Sequence, residues 1–132
     1  MSHHRHPVDA GAAPAAIGAY SHGVVSNGLL FCSGQIPLDP ETGELIAGGP
    51  GDQTTRCLDN LNAVCQAAGT QLADAARVTV YAADLVTDWK EINDAYAAWF
   101  GEDEAPARVA IGVAALPRGA RVEIDAVVAL PD

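Results

Sequence analysis

The sequence predicts an α+β domain in which two helices cover one face of a mixed β-sheet. Apolar residues switch between a two-residue and a 3.6-residue period along the chain, which marks strands and helices in turn. The segments so marked run hairpin, helix, strand, helix, hairpin, an order that suits helices gathered on one side of a sheet. Size agrees, because 132 residues with 49% hydrophobic and 18% charged side chains support one core and are too few for two. The expected boundaries are a flexible N-terminal tail over residues 1–15, carrying "HHRH", and a single domain over 16–132.

The first hairpin is expected over Gly23–Gln35, where Asn27-Gly28 separates two β-prone runs and tolerates the positive φ of a two-residue turn. "PLDPETGEL" then makes a surface turn around Asp39 to Gly43. From Asp52 to Ala68, apolar residues at 57, 58, 61, 64, 65 and 68 form a helical stripe, with Asp52 as cap and Gly69 as stop. "ARVTVYAAD" alternates Val78, Val80 and Ala82 with Thr79 and Tyr81, as a strand with unlike faces does. A second helix is expected from Trp89 to Phe100, begun by an Asp88/Glu91 capping pair and closed by Gly101.

The last segment reads as a hairpin of Ala107–Ala114 and Arg121–Ala129 joined by "ALPRGA". Val109, Ile111 and Val113, with Val122, Ile124, Ala126 and Val128, are expected to face the helices. Arg108, Ala110 and Gly112 then share the opposite face with Arg121, Glu123, Asp125 and Val127. Helices on one side leave that face to water or to another subunit, and its apolar members predict a homo-oligomer.

Charge and composition narrow the partners. Seventeen acidic residues against seven basic ones give a formal charge of −10, which repels a phosphate backbone, so no nucleic-acid partner is expected. No apolar run approaches the ~18–20 residues of a membrane span, and no apolar h-region follows the basic start, which predicts a cytoplasmic protein without membrane contact. Cys32, Cys57 and Cys65 are odd in number and lack metal-ligand spacing, so buried, inert thiols are expected rather than disulfides or a zinc site. Metal: none is expected, and the lack of G-x-S-x-G, P-loop and dinucleotide motifs argues against serine chemistry and nucleotide cofactors.

Chemistry centres on Arg108 and Glu123. A guanidinium between small neighbours can bind a carboxylate with two parallel hydrogen bonds; it can equally form an ion pair at an interface. Glu123 can hold a water as general base or serve as an ion-pair partner. In a hairpin register the two lie roughly 13 Å apart on one face. Ser33 to Gln35, "SGQ", either shapes a turn or binds a carboxylate, while Tyr20 and His22 are read as exposed tips.

Nearly the whole chain, through "APAAIGAYSHGV", "GLLFCSGQIPLDPETGEL", "QTTRCLDNLNAVCQAAG", "VTVYAADLVTDWKEINDAYAAWF" and "PARVAIGVAALPRGARVEI", resembles the RidA family. That family is also called YjgF/YER057c/UK114 and labelled L-PSP endoribonuclease. The resemblance implies a chorismate-mutase-like α+β fold, a homotrimer with intersubunit clefts, and no cofactor. It further implies hydrolytic deamination of 2-imino and enamine acids, such as 2-iminopropanoate and 2-iminobutanoate, to 2-oxo acids and ammonia. By position, Arg108 is similar to the arginine that binds the substrate carboxylate and Glu123 to the acid that orients the attacking water. Tyr20, Ser33, Gly34, Asn93 and Ala110 match positions lining the cleft. Ala110 stands where many members carry cysteine, Ala19 where proline is usual and Ala105 where a bulky apolar residue is common, departures that would widen the cleft. Two alternatives are a noncatalytic carboxylate-binding or holdase-like member and an endoribonuclease-like translation inhibitor.

Overall fold

The computed structural model describes residues 4–102 and 104–132. These form strands β1 (Arg5–Val8), β2 (Gly23–Ser26), β3 (Leu29–Gln35), β4 (Ala75–Ala82), β5 (Ala107–Gly112) and β6 (Val122–Ala129), with helices α1 (Pro50–Ala67) and α2 (Leu85–Phe100). The six strands make one sheet in the order β1-β2-β3-β6-β4-β5. β4 and β5 run parallel and the other neighbours antiparallel, so the sheet is mixed. Leu58, Leu61 and Val64 of α1 and Ile92 and Tyr96 of α2 share a core with Leu30, Val78, Val80, Val122, Ile124 and Val128. Both helices therefore lie on one face, as the α+β expectation requires.

Local chemistry sets most boundaries. Asn27 and Gly28 take φ of 53° and 75°, the two-residue turn that fits the right-handed twist of the flanking strands. α1 begins two residues before Asp52, because Pro50 at the first helical position loses no hydrogen bond there. Asp52 turns back and accepts from the Gly49 N–H at 3.3 Å, and Gly69 follows the helix with φ 85°. α2 begins at Leu85 rather than Trp89, capped by Asp84, whose Oδ1 accepts from Thr87 N–H at 3.3 Å. Asp88 does not cap; it is buried and receives Arg121 through Nε at 3.0 Å and Nη2 at 2.6 Å.

The expected tail is in large part built into the domain. Arg5–Val8 pairs with β2, and Ala10 and Ala13 are buried in the core. His22, expected to be exposed, is the fastening. Its ring is buried, Nδ1 accepts from the Ala10 N–H at 2.9 Å and Nε2 lies 2.7 Å from the Pro14 carbonyl. Residues 1–3 of that tail, His3 among them, lie outside the described residues.

The predicted C-terminal hairpin is absent. β5 pairs with β4 in parallel, while β6 inserts between β3 and β4. The cause is α2: strand, helix and strand form a crossover unit that returns β5 parallel to β4. That leaves the unpaired edges of β3 and β4 to the strand whose alternate residues are all buried, which is β6.

The faces of β5 are also reversed from expectation. Register pairs Val78, Val80 and Ala82 with Arg108, Ala110 and Gly112, so these three lie on the helix side, and a Cβ at Gly112 would stand 3.4 Å from Leu85 Cβ. Their small size lets α2 approach. Val109 and Ile111 instead occupy the open face, 43% and 41% exposed, together with Phe31 at 45%. Phe31 lies beside Val127 across the β3–β6 pair. Such exposed apolar residues gathered on a sheet face are the composition of a contact surface.

Candidate active site

The centre of the site is a bulge. β3 and β6 pair Cys32 with Ala126 and Gln35 with Ile124, so Ser33 and Gly34 together oppose Asp125. An extra residue kinks the strand and re-aims nearby side chains. Here the bend brings the Gly34 backbone against Glu123, and a Cβ at Gly34 would overlap the Glu123 carboxylate. Ser33 is held from outside the sheet, its hydroxyl donating to the Ser21 carbonyl at 2.6 Å and its N–H to the His22 carbonyl at 3.0 Å.

Tyr20, Ser33, Gly34 and Glu123 line a cavity of about 350 Å³, within the size range of small-ligand sites. Ile17, Ile36 and Leu38 give its wall an apolar side. Because Pro14, Ala15 and Ile17 belong to the segment fastened by His22, the supposed tail supplies one bank of the cavity. Half-burial, and next the Asp125 carboxylate on the same strand face, push Glu123 above the usual carboxylate range. Asp125 itself accepts from the Tyr81 hydroxyl at 3.0 Å.

Arg108 is elsewhere. Its Cζ lies 4.9 Å from the Trp89 ring centroid and 4.8 Å from that of Tyr96, and Nη1 donates to Asn93 Oδ1 at 2.8 Å. Among the described residues it makes no other hydrogen bond, so one edge of the guanidinium is left for a ligand. Arg108 is level with Val78 and Glu123 with Tyr81, on strands either side of β4. That offsets them by about 10 Å along and about 10 Å across the sheet, at ~3.3 Å per residue and ~4.8 Å per strand. They also project from opposite faces. The expectation that both share the open face is therefore wrong for one copy: Tyr20, Ser33, Gly34 and Glu123 form one group, Arg108, Asn93 and Ala110 another.

The cysteines add nothing reactive. All three are buried; the hydrogen bond with Cys65, then burial, raises the Cys32 thiol, and burial raises Cys57. A thiol held protonated is a poor nucleophile. Among the described residues no cluster of His, Cys, Asp and Glu could hold a metal ion, and no helix is long and apolar enough to cross a membrane.

The class these features define is an α+β domain with two helices on one face of a mixed sheet and a cavity of small-ligand size at a bulge. The chain belongs to the endoribonuclease L-PSP family, the RidA/YjgF group, whose model matches residues 10–130. It is 45% identical over 115 residues to a RutC family protein of Pyrococcus horikoshii, covering 87% of this chain and 90% of that one. It is 42% identical over 115 residues to the 2-iminobutanoate/2-iminopropanoate deaminase of Rattus norvegicus, covering 87% and 82%. The fold matches that of E. coli TdcF with bound serine at a TM-score of 0.89 and 36% identity, covering 96% and 99%.

Proposed function

We propose that the protein hydrolyses 2-imino acids, of the size of 2-iminopropanoate and 2-iminobutanoate, to 2-oxo acids and ammonia. The observation that carries this is the half-buried Glu123 carboxylate set against the Ser33–Gly34 bulge inside a cavity of small-ligand size. A relative named for this activity at 42% identity supports it, as does a neighbour of the same fold holding serine, an amino acid of similar size. Because Arg108 and Glu123 project from opposite faces of one chain, a complete site takes Arg108 from one copy and Glu123 from another, in a homotrimer with intersubunit clefts. The exposed Phe31, Val109 and Ile111 are the surface that such assembly would cover.

Arg108 binds the substrate carboxylate through the edge left free by Asn93. A protonated imine carbon is already electrophilic, so the site needs orientation, a water and a group that relays the water's two protons in turn. Glu123 accepts the first proton as the water oxygen bonds to C2 and the C=N pair returns to nitrogen. It then gives that proton to the amine nitrogen; as the C–N bond breaks and ammonia leaves, the hydroxyl on C2 passes its proton to the Glu123 carboxylate and becomes the carbonyl, and that proton departs with ammonia as ammonium. Ser33 has its hydroxyl proton committed to Ser21 and serves the cavity wall. Following 2-iminobutanoate released by a threonine dehydratase tests this: faster decay than buffer is expected, and binding of 2-oxobutanoate without faster decay would make the protein a noncatalytic binder.

The Gly34 contact predicts that Gly34→Ala displaces the carboxylate. The expected kcat loss is about 10- to 100-fold, since small misplacements of a catalytic group are costly, with the melting temperature little changed. The pH profile carries a second prediction. A base is active when ionised, and Glu123 is raised, so the acid limb of kcat/KM should fall above the ordinary carboxylate range. Asp125→Asn removes the neighbouring charge, and the limb should move to lower pH; a limb that stays fixed would assign it to another group.

A further inference from the structure

We infer that α2 carries a positioning device for Arg108: the stripe Trp89–Asn93–Tyr96 holds the guanidinium in the posture that receives a substrate carboxylate. This rests on the reading of Arg108 as the carboxylate anchor. The three residues stand at i, i+4 and i+7, which aligns them along one side of a helix. Seven residues of helix span about 10.5 Å. The guanidinium meets both ends of this stripe, with Cζ 4.9 Å from the Trp89 ring centroid and 4.8 Å from that of Tyr96. It also meets the middle member, Asn93, whose Oδ1 accepts from Nη1 at 2.8 Å.

The contacts leave most of the guanidinium's donors unused. Trp89 and Tyr96 present their rings to the cation, and Asn93 takes one N–H. A carboxylate binds along the edge of the fork, in its plane, with two parallel hydrogen bonds. The edge is what remains. Arg108 is exposed on β5, an edge strand, and a long side chain so placed would otherwise lose its rotamer freedom on meeting the ligand. The stripe removes that freedom beforehand, which is how preorganisation raises affinity.

The rings are themselves anchored. Trp89 packs against the core, and Tyr96 is buried against Phe100, ring centroids 4.7 Å apart. The Tyr96 hydroxyl is buried without a hydrogen-bond partner among the described residues. The ring is therefore the part of Tyr96 that meets Arg108.

The experiment uses the full chain, with 2-oxobutanoate as a stable probe in calorimetry and 2-iminobutanoate in turnover. Trp89→Leu should raise the Kd for 2-oxobutanoate and the KM for imine about tenfold, the factor set by ~1.4 kcal/mol of lost preorganisation. Its kcat should stay within twofold. Trp89→Phe should return both constants to near the starting values. Asn93→Ala, which spares the core, should weaken binding several-fold and provides the measurement if Trp89→Leu fails to fold. If Arg108→Ala abolishes binding while both Trp89→Leu and Asn93→Ala leave it intact, the positioning role is wrong and the anchor stands. If Arg108→Ala itself binds normally, the anchor falls and the device with it. Weakening by Trp89→Leu that Phe does not restore would also overturn it.

Discussion

Arg108→Ala is expected to lower kcat/KM for 2-iminobutanoate roughly 10²- to 10³-fold, the range for removing one partner of a buried, hydrogen-bonded charge pair. Its fold should persist, because Arg108 is exposed and lies on an edge strand. The more telling result comes from mixing. Arg108 and Glu123 project from opposite faces of one chain and are offset along and across the sheet, so one small acid cannot touch both in a single copy. Reassembling equal amounts of Arg108→Ala and Glu123→Gln chains should therefore regain activity that neither has alone. With random assortment, about a quarter of the clefts in a cyclic assembly receive both intact groups. No recovery after verified subunit exchange would mean that the two residues do not meet across copies.

Glu123→Gln is the second large effect. It keeps the shape that the Gly34 contact demands and removes only the ionisable proton site. The expected loss in kcat is about 10² to 10⁴, the contribution of general acid–base catalysis, with 2-oxobutanoate affinity changed only a few-fold. Stability should move the other way. The folded protein holds the Glu123 proton more tightly than the unfolded chain does, because burial and then Asp125 disfavour its charge. The stability due to the protonated form is fully present below the ordinary carboxylate range and is lost as pH rises through the raised value. At neutral pH, Gln should accordingly leave the melting temperature equal or higher. A marked drop would show that the carboxylate is a structural ion-pair member instead.

What the sequence made legible was local. The Asn27-Gly28 turn, the stop at Gly69 and the burial of Val78, Val80 and Ala82 each follow from a residue's own dihedral or period preferences. Errors arose where a choice depended on residues far away in the chain. Alternation showed that Arg108 and Val109 point oppositely, but the side facing the core is decided by where α2 lies, and α2 packs on Gly112 and Ala110. Pairing β5 with β6 looked local, yet the α2 crossover sets the strand order. Resemblance named the candidate site residues, but their division into an Arg108 group and a Glu123 group was not legible in it. His22 escaped altogether, since its bonds to Ala10 and Pro14 are directed contacts that no periodicity announces. Trp89 entered only as the first residue of the expected second helix; its spacing with Asn93 and Tyr96 was the available signal.

The place of β6 bears on how such a chain is made. It is the last strand in sequence and the one that joins β1-β2-β3 to β4-β5. Until Val122–Ala129 has emerged from the ribosome, a nascent chain carries two half-sheets with open edges at β3 and β4, and such edges invite pairing with other chains. Glu123 lies in that same strand, so the carboxylate proposed as the general base arrives only with the segment that closes the sheet.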